Sequence, residues 1–449
     1  MERSKFGKLG VILATAGSAV GLGNVWRFPY MTGENGGAAF ILIYIGCMFL
    51  LGIPGMISEF IVGRHAGTNA ARAYDTLSNG RPWKFVGYLG ILTSTLILGF
   101  YAVVAGWCLQ YLYASLMTHL NGNADYVVNY FASFSANPWK PCVWAVSFIV
   151  LTHLVVVRGV RAGIERASNL LMPALLILLI VLVVASCMLP GAGKGIEFLL
   201  KPDFSKLTGR VFLEALGQSF FSLSLGTACL CTYSSYFSKQ TNLLGSASQI
   251  ALLDTFIAIL AGLMIFPAAF SVGVSPGQGP SLIFITLPNV FNEAFAAVPF
   301  LGYFIAIMFY ALLVFAALTS TISMHEIGTA FFHEELNWPR SKAAWIMTGV
   351  CSTIAVLCAL SFGACPQIQL FGMSLLDLLD SLTANVMLPL GSLLTCLFVG
   401  WYIPRQVVRD QFTNWGTLRG RFLGVYLLAV RYVCPLCIIL IFLHRFGVI

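Results

Sequence analysis

The chain has 449 residues, 58% of them hydrophobic and 9% charged, with a mean hydropathy of +0.86. Soluble domains carry about 25% charged residues, so this composition excludes a soluble domain and predicts a single-domain polytopic membrane protein. The net charge of +8 does not indicate nucleic-acid binding, because the basic residues are spread over short loops, as membrane orientation requires. No cleavage site follows the first apolar segment, so we expect no signal peptide.

Windows of about 20 apolar residues predict an all-α fold with eleven transmembrane helices. They are expected near residues 8–31, 38–63, 85–116, 142–157, 168–188, 211–236, 246–272, 299–331, 343–361, 373–401 and 422–443. With the N-terminus in the cytoplasm, 17 of the 25 Lys and Arg residues fall in cytoplasmic segments. This bias favours a cytoplasmic N-terminus, and an odd number of spans then places the C-terminus outside.

The first span is interrupted at residues 17–29, where three glycines, Asn24 and Arg27 replace a uniformly apolar helix. In hydrocarbon an unpaired backbone group costs several kcal/mol. A break therefore persists only if other groups take the freed amides and carbonyls. A cation and a small zwitterion could do so, which makes this segment a candidate binding site.

The sixth span is interrupted in a similar way at residues 217–227, which combine glycines with hydroxyl side chains. Spans one and six would begin two five-helix units, at about 8–188 and 211–401, with an extra helix at about 422–443. Because five is odd, the units would form inverted repeats whose helices 1 and 6 are discontinuous. Matching interruptions indicate a transporter site, whereas Gly and Ser that only permit close helix packing are the alternative.

Other classes of protein receive less support. The twelve cysteines lie mostly inside apolar spans, where they behave as small hydrophobic residues. Cys434 and Cys437 form a CxxC pattern in the last span, and we interpret it as packing. The histidines are scattered without metal-ligand spacing, which argues against an intramembrane enzyme. A channel would need a continuous polar pore, whereas the polar residues here cluster at mid-depth.

Ordered motifs extend over nearly the whole chain. They are residues 17–29, 34–37, 52–54, Glu59, Tyr101, Trp107, 217–226, Asp254, 261–262, 317–320, Asp377 and Asp380. These motifs resemble the neurotransmitter:sodium symporter family, and specifically its bacterial amino-acid transporters, some of which also have eleven spans. The resemblance implies a sodium-coupled symporter in the inner membrane that works by alternating access, and not an enzyme. An amino-acid sensor or receptor on the same scaffold stays an alternative.

The resemblance also implies two sodium sites. The ligands of the first would be the Ala19 carbonyl, the Asn24 amide oxygen, the Ser222 hydroxyl and the Asp254 carboxylate. Those of the second would be the carbonyls of Gly17, Val20 and Ala316 and the hydroxyls of Thr319 and Ser320. Unwound backbone frees carbonyls that can coordinate a cation, so the residues themselves are compatible with both sites.

Asp254 is expected deep in the seventh span, where a carboxylate costs about 2.5–3.5 kcal/mol and needs a partner. A neutral Asn usually holds this position in the family, and chloride-dependent members add an anion beside it. We therefore expect no chloride requirement, with Asp254 supplying the negative charge. A carboxylate near a helix end that reaches for water is the alternative, and proton coupling through Asp254 stays open.

Gly21 stands where amine-transporting relatives have an Asp, so the substrate should bring its own carboxylate and be an amino acid. The resemblance implies the following substrate-binding residues: Ser18, Ala19, Gly21, Leu22, Gly23, Ile97, Tyr101, Phe221, Ser222, Ser224, Thr227, Ser320 and Met324. No charged side chain is among them. We expect a neutral amino acid with an apolar or aromatic side chain, whose identity the sequence leaves open, as it does the oligomeric state.

Two gates follow from the resemblance. Arg27 and Asp380 are expected to form an ion pair that closes the outer path above an aromatic lid of Tyr101 and Phe221. Asp377, one helical turn away, could replace Asp380 as the partner. Arg3 and Glu334 are candidates for a cytoplasmic latch, with Glu335 as a rival acid. Glu326, embedded in the eighth span, needs a partner that the sequence does not identify.

Overall fold

The protein is described from a computed structural model that covers residues 5–120, 122–273, 282–296 and 298–445. The first half of the chain forms helices α1 (Lys8–Ala19), α2 (Gly23–Glu34), α3 (Ala38–Ala66), α4 (Ala70–Ser78), α5 (Lys84–Leu116), α6 (Ala124–Ser135), α7 (Lys140–Val156), α8 (Val160–Cys187), α9 (Ala192–Leu200), α10 (Gly209–Ser222) and α11 (Cys229–Ser234). The second half forms α12 (Leu243–Ser271), α13 (Leu287–Ala294), α14 (Pro299–Glu335), α15 (Arg340–Phe362), α16 (Leu375–Tyr402), α17 (Arg405–Phe412) and α18 (Leu423–Arg445). Strands β1 (Gln369–Leu370) and β2 (Met373–Ser374) form a short antiparallel hairpin before α16.

Eight helices in the described ranges are long and apolar enough to cross a membrane, or ten if two bent pairs each count as one span. The bent pairs are α1 with α2, at 52°, and α6 with α7, at 75°. Helices α10 and α11, of 14 and 6 residues, are each too short to cross alone. The fold is therefore that of a multi-pass helical membrane protein, as predicted, with fewer continuous crossings than the eleven expected.

The outer surface of the helix bundle is apolar. On α8, for example, Leu170 and Ile177 are 71% and 63% exposed, whereas the side chain of Leu179 is fully buried. Such a surface would be unfavourable in water but matches the hydrocarbon of a bilayer. The long helices α5 and α14 pack against each other, and α1 packs against α8, α12 and α14, so the broken first span lies inside the bundle.

Both predicted interruptions are present. Helix α1 ends because Val20 is extended, with φ −73° and ψ 108°, and the chain re-enters a helix at Gly23. Between α10 and α11, Ser224, Gly226 and Ala228 all have positive φ, from 53° to 79°. Gly226 is required there, because a Cβ atom would lie 2.3 Å from the Leu388 carbonyl oxygen. These two uncoiled segments meet in the centre of the molecule.

Candidate functional site

Side chains take several of the backbone groups that the two breaks free. The Leu22 amide donates to the Tyr101 hydroxyl at 3.0 Å, and the Gly21 amide donates to Asn24 Oδ1 at 3.1 Å. In the second break, the Gly226 amide donates to a carboxylate oxygen of Glu59, on α3, at 2.7 Å. The breaks are therefore stabilised by the protein itself, whereas the sequence had suggested a cation and a zwitterion for this role.

The first oxygen cluster is centred on Asp254, which is fully buried on α12. Its carboxylate accepts hydrogen bonds of 2.7 Å from Asn24 Nδ2, 2.7 Å from the Ser222 hydroxyl and 3.2 Å from the Tyr44 hydroxyl. Three of the four residues predicted for the first sodium site are thus in contact, and Ala19 lines the adjoining cavity. The Asn24 amide oxygen, predicted as a ligand, faces Gly21 instead, because the amide nitrogen is the donor that the carboxylate needs.

The second oxygen cluster joins the end of α1 to α14. The hydroxyls of Thr319 and Ser320 both donate to the Val20 carbonyl, at 3.2 Å and 3.3 Å. The single proton of the Thr319 hydroxyl is shared with the Ala316 carbonyl, which lies closer, at 2.9 Å. Gly17 packs against this group, since a Cβ atom there would lie 3.4 Å from the Thr319 Cβ. All five predicted residues therefore converge, and an all-oxygen donor set of this kind suits a hard cation.

A small cavity of about 50 Å³ lies beside both clusters. Twelve of the thirteen residues predicted to bind substrate line it, and Cys229, Ser323 and Leu388 line it as well. Leu22 is the exception, and it lines a neighbouring vestibule instead. Gly21 must lack a side chain, since a Cβ atom would lie 2.3 Å from the Ser320 hydroxyl oxygen and 2.9 Å from that of Tyr101.

The vestibule is a larger space of about 410 Å³ that is separated from the cavity by Tyr101 and Phe221, which line both. Arg27 and Asp380 line the vestibule but form no ion pair with each other among the described residues. The Arg27 guanidinium lies instead over the Phe221 ring, 4.1 Å from its centre. The predicted ion pair is therefore absent from this conformation, in which the vestibule is wide and the cation has an aromatic partner.

The opposite end of the site is closed by the start of the chain, in an arrangement that we call the N-terminal latch (residues 5–7 with Arg161, Glu165, Tyr233 and Tyr236). The Phe6 amide donates to the Tyr236 carbonyl at 3.1 Å, and its ring packs edge-on against Tyr233 and Tyr236, each at 5.6 Å. The Gly7 amide donates to Glu165 at 3.0 Å. Sequence reasoning placed the latch at Arg3, which lies outside the described residues.

Glu334, the predicted acid of the latch, accepts a hydrogen bond of 2.7 Å from the Asn69 amide at the start of α4. Its rival Glu335 forms an ion pair with Arg72 at 3.1 Å. Glu326 is fully buried, and its partners are Arg340, in an ion pair, and the Tyr236 hydroxyl, at 2.7 Å. Tyr236 therefore connects this ion pair to the N-terminal latch.

Comparison with known proteins identifies the family. The sequence profile of the Sodium:neurotransmitter symporter family matches residues 3–130 and 139–448. The chain belongs to this family. It is 40% identical to the sodium-dependent transporter YhdH of Bacillus subtilis, over 98% of this chain and 97% of that one. It is 35% identical to a sodium-dependent transporter of Haemophilus influenzae, with the same coverage.

A solved structure, that of MhsT in complex with L-phenylalanine, superposes on this transporter with a TM-score of 0.90, at 40% identity and 99% coverage of both chains. The expected membership of a family of sodium-dependent transporters, and not of enzymes, is thus confirmed. Within the described ranges, no three His, Cys, Asp or Glu side chains converge on a metal position, and none of the twelve cysteines forms a disulfide.

Sequence reasoning missed several residues of the site in this transporter. Tyr44 donates to Asp254 although 210 positions separate them. Ser323 and Cys229 line the cavity. Ser323 follows Ser320 by about one helical turn, so a helix through 317–324 would have placed it on the same face. Nothing local in the sequence pointed to Tyr44, because a tyrosine in an apolar span is most often a packing residue.

Proposed function

We propose that the protein is a sodium-coupled secondary active symporter of a neutral L-amino acid with a hydrophobic or aromatic side chain. The observation that carries this proposal is that the two uncoiled segments meet at one cavity. Two oxygen clusters lie beside this cavity, one around the Asp254 carboxylate and one around the Val20 carbonyl. Two Na⁺ ions would bind, one at Asn24, Ser222 and Asp254 and one at Val20, Thr319 and Ser320. The complex of the related MhsT with L-phenylalanine supports an amino acid as the solute.

The cavity suits a zwitterion with an uncharged side chain. The end next to the vestibule would offer a carboxylate the Tyr101 hydroxyl proton and the Gly23 amide, as expected of a helix N-terminus, because the Leu22 amide already donates to the Tyr101 oxygen. The Ser18 carbonyl already accepts a hydrogen bond of 3.1 Å from Ser224, so an ammonium group would rely on neighbouring carbonyls. None of the described residues that line the cavity has a charged side chain, which favours a neutral solute.

The environment of Asp254 supports the proposal that chloride is not required. The hydroxyls of Tyr44 and Ser222 both donate to its carboxylate. Two donors that could otherwise bind a free anion therefore already bind a carboxylate of the protein. A sodium ion at this cluster would then be neutralised without chloride.

The proposed topology has eleven crossings, with α10 and α11 counted together as the broken sixth. Residues 8–188 and 211–401 would form inverted repeats within a single transporter domain, with α18 as an extra helix in the inner membrane. The two chain ends support an odd number of crossings: Phe6 lies in the N-terminal latch, whereas Arg445 lines the vestibule beyond the other end of the cavity. The N-terminus would be cytoplasmic, as the distribution of Lys and Arg indicates.

Alternating access would use the two ends of the cavity in turn. In this conformation the vestibule reaches the Tyr101 and Phe221 side chains while the N-terminal latch is packed. One charge moved through 100 mV contributes about 2.3 kcal/mol, and a tenfold sodium gradient adds about 1.4 kcal/mol per ion. Coupling requires that ions and solute bind the open and closed conformations with different affinities.

The test is uptake of a radiolabelled neutral amino acid into proteoliposomes with an inward sodium gradient. Uptake should require sodium and persist when gluconate replaces chloride. The Thr319→Ala variant should need about tenfold more sodium for half-maximal uptake, because it loses a hydroxyl ligand. Thr353→Ala is the matched control, since its exposed hydroxyl makes the same bond to its own helix, at 2.9 Å to Gly349, and should behave as wild type.

Three results would contradict the proposal. They are uptake that is equal in sodium and potassium, better uptake of glutamate or lysine than of phenylalanine, and a Thr319→Ala variant with normal sodium dependence. Sodium-dependent binding without counterflow in the same vesicles would favour the sensor or receptor instead.

A further inference from the structure

An open groove lies on the outside of the bundle, between the start of α5 and the end of α16. It has a volume of about 580 Å³, and its lining includes Arg81, Trp83, Phe85, Leu89, Leu394 and Tyr402. We call it the α5–α16 groove. Beside it, Tyr88 of α5 packs edge-on against Phe331 of α14, with ring centres 5.8 Å apart. The groove is therefore on the side of the N-terminal latch, which α14 contacts through Glu326 and Tyr236.

The outer end of the α5–α16 groove is aromatic and cationic. Trp83, which precedes the first residue of α5, packs against the ring of Tyr402 with centres 5.5 Å apart. The Tyr402 hydroxyl donates to the Ser78 carbonyl at 3.1 Å, and the Arg81 guanidinium lies over the same ring, 5.7 Å from its centre. Trp and Tyr rings concentrate where a bilayer meets water, so this end of the groove lies at the level of the lipid headgroups.

The rest of the groove is apolar. Phe85, Val86 and Leu89 line it from the first two turns of α5, and Leu394 lines it from α16. Phe85 is 64% exposed, so this surface faces the hydrocarbon and not the protein interior. Leu89 lies roughly 9 Å beyond Trp83 along the helix axis. The groove thus continues from the headgroup level into the hydrocarbon, and its shape and polarity suit one acyl chain.

The cations at the outer end have no carboxylate to neutralise them. Arg81 is exposed, and neither Arg81 nor Lys84 forms an ion pair within the described part of the chain. Asp75 is the acid nearest to them along the sequence, and no ion pair joins it to either. Guanidinium and ammonium groups bind phosphate through charge-assisted hydrogen bonds. Basic pockets between membrane helices recognise lipid headgroups in this way.

We propose that the α5–α16 groove binds an anionic glycerophospholipid of the surrounding membrane. One acyl chain lies along Phe85, Leu89 and Leu394, and the phosphate of the headgroup meets Arg81 and Lys84. Charge complementarity selects the headgroup, because a zwitterionic lipid would bring its own cation close to both side chains. The bound lipid bridges α5 and α16. This site is separate from the cavity and the vestibule, since the lining residues named above line neither.

The experiment compares two lipids with identical oleoyl chains, phosphatidylglycerol and phosphatidylcholine, for binding to the purified full-length protein by native mass spectrometry in detergent. Phosphatidylglycerol should bind about ten- to thirtyfold tighter, as two cations near an anionic headgroup predict. The Arg81→Gln/Lys84→Gln variant should reduce this ratio to less than about threefold. Arg166→Gln/Arg419→Gln removes two other exposed cations and should keep the ratio.

A second pair of variants tests the apolar part of the groove. Leu89→Trp fills the space for the acyl chain while leaving both cations in place, so binding of phosphatidylglycerol should weaken at least about tenfold. Leu170→Trp makes the same change on the exposed face of α8, where Leu170 is 71% exposed, and should bind the lipid as the wild type does.

Three results would overturn the inference. They are equal binding of the two lipids to the wild-type protein, an equal loss of the ratio in the Arg166→Gln/Arg419→Gln variant, and displacement of phosphatidylglycerol by an equal concentration of glycerol 3-phosphate. The first needs no variant, so the inference remains testable if a variant does not fold. None of these measurements uses sodium or an amino acid, so their failure would leave the proposed function standing.

Discussion

Replacing Asp254 with Asn tests the charge at the centre of the first oxygen cluster. The carboxylate accepts hydrogen bonds from Asn24, Ser222 and Tyr44, at 2.7, 2.7 and 3.2 Å, and is fully buried. An amide has the same shape but only one acceptor oxygen, so at least one of these donors would face an NH₂ group. The substitution also removes the negative charge that a bound sodium ion would neutralise.

The magnitude follows from the same contacts. Oδ2 of Asp254 accepts from both hydroxyls, and each hydrogen bond to a charged group contributes about 1.5–3 kcal/mol. Loss of both gives about 3–6 kcal/mol, which overlaps the roughly 3–5 kcal/mol found when one member of a buried charged pair is removed. Because about 1.4 kcal/mol corresponds to a factor of ten, the variant should need at least about a hundredfold more sodium for half-maximal binding.

The assay is equilibrium binding of a labelled amino acid to purified protein over a sodium titration, in gluconate and again in chloride. Chloride should partly restore binding to the Asp254→Asn variant, because an anion could then occupy the position beside the hydroxyls of Tyr44 and Ser222. Asp125→Asn makes the same chemical change at an exposed position on α6 and should leave the titration unchanged. Wild-type sodium affinity of Asp254→Asn in gluconate would refute the reasoning.

Three further predictions concern other parts of the molecule. Gly21→Ala should abolish amino-acid binding, because its Cβ would lie 2.3 Å from a hydroxyl oxygen, whereas Gly349→Ala, with open space around its Cβ, should bind normally. Glu326→Gln should destabilise the protein by about 3–5 kcal/mol, since it breaks a buried ion pair. The melting temperature of this variant should fall by several degrees. Glu197→Gln, which changes an exposed pair, should melt at the same temperature as the wild type. Phe6→Ala loses two edge-on ring contacts of about 0.5–1.5 kcal/mol each. Hydrogen exchange of the α1 amides should therefore accelerate at least about fivefold, with the exchange of α18 as the internal reference. Unchanged exchange in α1 would contradict the role of Phe6 in the N-terminal latch.

The positions of the helices and of the two breaks were predictable because each is encoded locally. Runs of apolar residues of sufficient length require helices in a bilayer, and clusters of Gly with polar residues interrupt them. The expected span at 85–116, for example, is helix Lys84–Leu116. The convergence of Thr319 with Gly17 and Val20 was expected only from the resemblance, since Thr319 lies about 300 positions from both.

The partners of buried polar groups were not predictable, because they depend on how helices meet. Glu326 pairs with Arg340 across the turn between α14 and α15, and a sequence pattern does not give the rotation of either helix. The contact between Arg27 and Phe221 depends on conformation, which composition and spacing do not encode. Likewise, no local signal indicated that side chains would occupy the backbone groups freed by the breaks.

Glu59 holds the two sides of the second break together. Its two carboxylate oxygens accept hydrogen bonds from the amides of Gly226 and Cys231, at 2.7 and 3.3 Å, and so hold both sides of the gap to one rigid helix. The uncoiled strip is thereby preorganised, and an arriving solute has no need to order it. Ordering a segment on binding weakens the affinity. Because this segment is already ordered, the free energy of solute binding is available to drive the conformational change that moves access from one side of the membrane to the other.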